Sequence, residues 1–136
     1  MKTIEQSVLE FHEKYGHFIA DEPRVPSQAI KDLRMSLCLE EMNEFITAMI
    51  RNDIPEIADG AADLIYVLVG TCISYGVPID RIFQEVHRSN MTKTPVKVEE
   101  GQKYGTKTPK GPDYKAPEID NILEHPTWPT YLEENS

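Results

Sequence analysis

Between Thr3 and Tyr15 the apolar positions are Ile4, Val8, Leu9, Phe11 and Tyr15. That three- and four-residue spacing predicts an amphipathic helix, with Gly16 as its stop. A loop holding Pro23 and Pro26 follows. Ser27 is placed to cap a second helix, whose inner face would be Ile30, Leu33, Leu37, Cys38, Phe45, Ile46 and Met49 and which ends near Arg51. Asp53 caps a third, with Pro55 just inside its first turn, where a missing N–H does no harm. The second half of that helix, LIYVLVGTCISYG, is apolar nearly all round and is expected to be the most buried; Gly76 ends it. Pro78 and Asp80 open a fourth helix through IDRIFQEVHRSNM. No alternating run is bounded by a hairpin turn, so strands are not expected.

From Thr92 the period disappears. Pro95, Pro109, Pro112, Pro117, Pro126 and Pro129 are spread among lysines and glycines. The expected architecture is all-α: an antiparallel four-helix bundle over residues 1–95, then an extended proline-rich tail over 96–136 lying on the bundle or on a neighbouring subunit.

Bulk properties narrow the function classes. The chain has 136 residues, 40% of them hydrophobic, enough for one domain with a real core. The net charge of −9 argues against general binding to nucleic acid or an anionic membrane, both of which need a basic face. The start, MKTIEQSVLEFHEKYG, is charged and amphipathic, unlike a secretory leader, and the longest apolar run, around LIYVLVGTCI, is too short and too punctuated to span a bilayer. Cys38 and Cys72 sit inside apolar helical patterns without metal-type spacing, which suggests buried free thiols and a cytoplasmic setting.

The polar positions carry the chemistry. LEEMNEF, residues 39–45, places Glu40, Glu41 and Glu44 in one sector of the second helix. Like charges at those spacings destabilise an isolated helix by roughly 0.2–0.5 kcal/mol per pair. Glu56, Asp59 and Asp63 form a second stripe on the third helix, and Asp63 runs straight into LIYVLVG. One such stripe is usually a solvated face. Two on neighbouring helices, interleaved with core positions, predict a carboxylate cluster, which cannot stay ionised and dry without cations. Mg²⁺ or Mn²⁺, hard ions that take oxygen ligands, would supply them.

LEEMNEF followed by EIADGAADLIYVLVGT resembles the MazG-like all-α NTP pyrophosphatases, including their phosphoribosyl-ATP pyrophosphohydrolase-like branch. That signature is EExxE, a spacer, then an acidic pair ending in Asp before an apolar run. EVHRSNMTK is similar to the basic and Asn-bearing segment after the last core helix in that branch, and the resemblance covers about residues 1 to 120. It implies Mg²⁺-dependent hydrolysis of a nucleoside triphosphate to monophosphate plus pyrophosphate, and assembly as a homodimer or homotetramer. By the resemblance Glu40, Glu41 and Glu44 stand at the EExxE positions and Asp63 at the final Asp. Glu41, Glu44 and Asp63 are then expected as metal ligands, with Glu40 and Asp59 serving a second ion or the activation of water. Either Glu40 or Glu41 is the candidate to take the proton of the attacking water. The pattern departs at one place: the usual second motif would put Glu at position 60, where Gly60 stands, and Asp59 and Glu56 are the available substitutes.

Cations for the substrate are sought in HRSNMTK and GTKTPK: Arg88, Asn90 and Lys93, and less directly Lys107 and Lys110. Arg34, one or two turns before the acids, faces either the same pocket or an acidic ion-pair partner. His12, His17, His87 and His125 show no ligand spacing, Tyr66 is expected in the core, and Trp128 is expected to anchor the tail by packing. The competing reading is a catalytically silent bundle that binds a nucleotide or a protein partner. A di-iron bundle is disfavoured, because no Glu-x-x-His pair occurs on the acidic helices.

Overall fold

The computed structural model describes residues 1–95 and 107–124. Five helices are present: α1 (Ile4–Tyr15), α2 (Gln28–Ile50), α3 (Ile54–Tyr75), α4 (Ile79–Asn90) and α5 (Ile119–Leu123). Among the described residues there is no strand. The chain divides into two compact units, Met1–Ile79 and a second that begins at Asp80.

In the first unit each helix starts where a side chain satisfies an orphan N–H. Thr3 and Gln6 form a reciprocal capping box at α1. Ser27 Oγ accepts from the Ile30 N–H at α2, and an Asp53 carboxylate oxygen accepts from the Glu56 N–H at α3. Three residues, Arg51–Asp53, link α2 to α3, so the two helices must run antiparallel as a hairpin. α3 packs against both α1 and α2. The core is Val8 and Leu9 of α1 with Val69 and Ile73 of α3, flanked by Ile19 and Ile79.

The loop after α1 is tied to the end of α3. Ala20 N donates to Ile73 O (3.1 Å), Arg24 N donates to Tyr75 O (2.9 Å), and Ser74 Oγ donates to Phe18 O (2.9 Å). The first two bonds satisfy carbonyls that the C-terminus of α3 leaves open, and the third satisfies a carbonyl of the loop. Gly76 ends α3 with φ +72°, and a Cβ there would run into the backbone carbonyl of Glu22.

α3 has the length and apolarity of a membrane span, longer than the run LIYVLVGTCI suggested. It nevertheless carries Glu56, Asp59 and Asp63 in its first half, and its second half is committed to the core with α1. α2 differs from expectation. Of its expected inner face, Ile30, Leu37, Cys38 and Phe45 are half-buried, but Leu33, Ile46 and Met49 are exposed in the single chain.

In the second unit the described tail returns to the end of α4. Ser89, 2% exposed, donates from Oγ to Lys115 O (2.8 Å), and Thr94 N donates to Pro109 O (3.2 Å). The tail is not wholly extended: after Pro117 it forms the short helix α5, on which Ile119, Ile122 and Leu123 are half-buried. Trp128 and His125 lie outside the described residues.

Candidate metal centre

The hairpin of α2 and α3 brings one carboxylate oxygen each from Glu41, Glu44 and Asp63 within 4.8 Å of one another. Glu41 and Glu44 share a face because they are three residues apart, and Asp63 meets them from α3. Oε2 of Glu41 is buried and has no hydrogen-bond partner. Burial pushes the Glu41 carboxyl above the ordinary carboxylate range, and Glu44, Asp63 and Glu40 push it further in the same direction. Among the described residues no lysine or arginine forms an ion pair with any of the three. The donors are hard oxygens, they converge, and one is orphaned; this is a set that a divalent cation of the Mg²⁺ or Mn²⁺ type fits.

Glu40 and Asp59 are exposed, and neither belongs to the convergent group of three. Glu40 still acts on Glu41 through its charge. Gly60 is buried against Phe45 of α2. A Cβ there would stand 3.2 Å from the Phe45 Cα, so a larger residue at this position would need the Phe45 backbone to give by a few tenths of an ångström. The departure from the usual motif is thus a packing feature as well as a lost carboxylate.

An open cleft of ≈ 300 Å³ adjoins the cluster through Glu44 and is lined also by Asn43, Thr47, Arg51, Asp53 and Glu56. Asn43, Thr47 and Arg51 are residues that sequence reasoning passed over. Asn43 and Thr47 offer neutral donors and acceptors, and Arg51 offers a cation. The available signal was spacing, since Asn43, Thr47 and Arg51 lie four apart on one face.

Arg34 makes no ion pair with an acid among the described residues. It is buried, and it spans the hairpin by donating from Nη2 to Val67 O (2.9 Å) and from Nε to Thr71 Oγ1 (3.2 Å). Burial lowers its pKa from the usual arginine value. The glycine at position 70 makes room for it, since a Cβ there would be 2.6 Å from Arg34 Nη2 and 2.8 Å from His12 Nε2. His12 is also buried, its Nδ1 lies 3.2 Å from Phe18 O, and its pKa falls to about 4, chiefly through desolvation. Tyr66 is partly exposed and meets Phe11 edge-on, with ring centroids 5.4 Å apart. Cys72 is pushed up to about 11 by burial and by Glu5, so its thiol stays protonated at neutral pH.

In the second unit Arg88 is engaged by Glu85 (Nε to Oε1, 2.6 Å) and donates to Ala116 O (3.2 Å). Asn90 is exposed at the last position of α4, and Lys93 is half-buried three residues on.

Residues 8–90 match the phosphoribosyl-ATP pyrophosphohydrolase family. An uncharacterized protein of Acanthamoeba polyphaga mimivirus is 34% identical over 86 residues, covering 57% of this chain and 33% of the viral protein. The chain therefore spans about a third of that relative.

Proposed function

Because the chain belongs to the phosphoribosyl-ATP pyrophosphohydrolase family, we propose that it is a Mg²⁺-dependent nucleoside triphosphate pyrophosphohydrolase, converting a (d)NTP to (d)NMP plus pyrophosphate in nucleotide-pool house-cleaning. The observation that carries the reading is the convergence of Glu41, Glu44 and Asp63 around a buried, unpartnered carboxylate oxygen. These three hold the cation. A bound divalent ion supplies charge neutralisation on the phosphates and makes a water more acidic. Glu41 or the adjacent Glu40 is the group to take the proton from that water. The cleft beside Glu44 receives the nucleotide, with Arg51 toward its phosphates and Asn43 and Thr47 toward its neutral polar edges. Lys93, in the second unit, offers a mobile cation of the kind that suits a phosphate.

Self-association belongs to the same proposal. Leu39, Met42, Ile46, Met49 and Ile50 are all exposed on α2, an apolar surface that a homodimer or homotetramer would cover. Light scattering at micromolar concentration tests this, and a monomeric mass would refute it. The free thiols of Cys38 and Cys72 fit a reducing, cytoplasmic setting.

The deciding experiment is pyrophosphate release from a nucleotide panel that includes phosphoribosyl-ATP, with Mg²⁺ and then with EDTA. Release that needs Mg²⁺ and disappears in Glu44→Gln supports the reading. No release from any nucleotide leaves the silent, nucleotide-binding bundle.

A further inference from the structure

α2 carries two of the three converging carboxylates, yet it supplies none of the core cluster Val8, Leu9, Val69 and Ile73, which comes from α1 and α3. Of its 23 residues only Arg34 and Ala48 are buried. We infer that Arg34 is a positioning residue of the metal centre: its guanidinium fixes the register of α2 on α3 and so brings Glu41 and Glu44 to Asp63. The inference rests on the metal-dependent reading above for what that register serves.

Alignment is the first argument. Arg34 stands seven residues before Glu41, and Gly70 stands seven residues after Asp63. In an antiparallel pair, equal steps along the two helices stay level. Arg34 against Gly70 and Glu41 against Asp63 are therefore one alignment. The approach of Arg34 to Gly70 is close, since a Cβ at position 70 would lie 2.6 Å from Nη2. The same alignment brings Phe45, four residues past Glu41, to Gly60, three residues before Asp63. The carboxylates thus lie between two close approaches, one of them made by Arg34. Two turns, about 10 Å of helix rise, separate Arg34 from Glu41, so it reaches the cluster through the helices and not as an ion-pair partner.

Bond geometry is the second argument. Nη2 of Arg34 donates to Val67 O (2.9 Å), Nε donates to Thr71 Oγ1 (3.2 Å), and Thr71 Oγ1 in turn donates to Val67 O (2.8 Å). Val67 and Thr71 lie four and eight residues past Asp63, on the same flank of α3. No acid pairs with Arg34 among the described residues, and a buried cation without one is costly. An apolar side chain would pack against α3 without choosing between neighbouring turns. Two donors in a rigid fork, each with its own acceptor, choose one. α1 closes the other side, where His12 Nε2 lies 2.8 Å from the same point beside Gly70 and Nδ1 lies 3.2 Å from Phe18 O. A carbonyl only accepts, so in the neutral ring Nδ1 carries the proton and Nε2, toward Arg34, has none.

The test compares variants of the full chain without nucleotide. Nuclear Overhauser contacts between the Gly60 Hα protons and the Phe45 side chain, recorded in EDTA, read the register. Mn²⁺ affinity by electron paramagnetic resonance reads its consequence. Arg34→Lys keeps the charge but has one ammonium for two acceptors; it should lose those contacts and bind Mn²⁺ about tenfold more weakly. Thr71→Val removes the hydroxyl that accepts from Nε and should move both readouts in the same direction, and Thr71→Ser should restore them. Should Arg34→Lys fail to fold, Thr71→Val decides alone. Ser74→Ala removes a different buried bond of the same unit, to Phe18 O, and should lower stability while Mn²⁺ affinity stays within about twofold of wild type. A merely structural Arg34 predicts that Arg34→Lys behaves as Ser74→Ala does. Wild-type contacts or wild-type Mn²⁺ affinity in folded Arg34→Lys overturn the inference and leave Mg²⁺-dependent hydrolysis standing. Failure of the wild-type chain to bind Mn²⁺ sinks the metal centre instead, and the contacts between Gly60 and Phe45 still decide whether Arg34 sets the register.

Discussion

The two units solve opposite electrostatic problems. Residues 1–79 carry thirteen acids against six lysines and arginines, and three of those carboxylates converge on the α2–α3 hairpin without a basic partner among the described residues. The second unit concentrates its cations in residues 88–115, where the returning segment fixes Lys115 at the end of α4. The acidic cluster is held by regular helices and offers oxygens that a divalent cation would fit; the basic segment is held by irregular backbone and offers cations. Net charge therefore describes neither surface, because the carboxylates and the lysines are gathered in different segments of the chain.

The largest expected effect breaks the acidic half. Glu44→Gln or Asp63→Asn should cut Mg²⁺-dependent hydrolysis by at least about 10²–10³-fold, ~2.7–4 kcal/mol of transition-state stabilisation. The same variants should be as stable as wild type without metal, or more stable, because each removes one of three repelling charges. Steady-state rates and urea denaturation in EDTA check both statements. A purely structural role for these acids would instead show as lost stability.

A backbone change separates the units. Gly76→Ala combines a left-handed conformation with a collision against the Glu22 carbonyl, and should cost about 2–4 kcal/mol of global stability by urea denaturation. Gly111→Ala should loosen only the segment seated on Thr94, read as faster amide hydrogen exchange at Lys115, while the main unfolding midpoint stays near wild type.

Acid should probe the core of the first unit through His12. Its ordinary pKa is 6.5 and burial brings it to about 4 in the fold, so the native state favours the neutral ring. The stability this contributes is complete above pH 6.5 and is lost as pH falls from 6.5 through 4, because the unfolded chain takes the proton first. Glu41, shifted upward, works in the opposite sense: its protonation relieves the cluster as pH falls. Comparing the pH dependence of Tm for wild type and His12→Gln isolates the histidine contribution, and parallel curves would refute it.

The smallest effects sharpen the basic half. Lys93→Ala should raise KM about tenfold, ~1.4 kcal/mol, without changing metal affinity in the absence of nucleotide. Asn90→Ala should change KM less than about twofold, because the residue is exposed. Steady-state kinetics on both variants decides the point.

Helix limits were readable because each depends on a local rule: Thr3, Ser27 and Asp53 accept from nearby N–H groups, and Gly16 and Gly76 end their helices. The two acidic stripes were readable because side-chain spacing on a helix is periodic; the family resemblance singled out Glu41, Glu44 and Asp63 within them. Three features were not. The close approach at Gly60 depends on a missing side chain, which a motif comparison registers only as a departure. The bonds of Arg34 to Val67 and Thr71 depend on how α2 lies along α3, which no local pattern specifies. The placement of Tyr114 and Lys115 comes from long-range backbone and hydroxyl bonds in a segment without hydrophobic period. The α2 stripe shows the converse: Leu33, Ile46 and Met49 follow the helical period of an inner face yet are exposed in the single chain.

The most direct test of the metal centre is a Mn²⁺ titration followed by electron paramagnetic resonance, without nucleotide. Wild-type protein should deplete the free-ion signal saturably. Glu44→Gln and Asp63→Asn should each weaken that binding by about tenfold or more, and Lys93→Ala should bind as wild type does. Wild-type Mn²⁺ affinity in both carboxylate variants would contradict the assignment of Glu41, Glu44 and Asp63 as the metal-holding site.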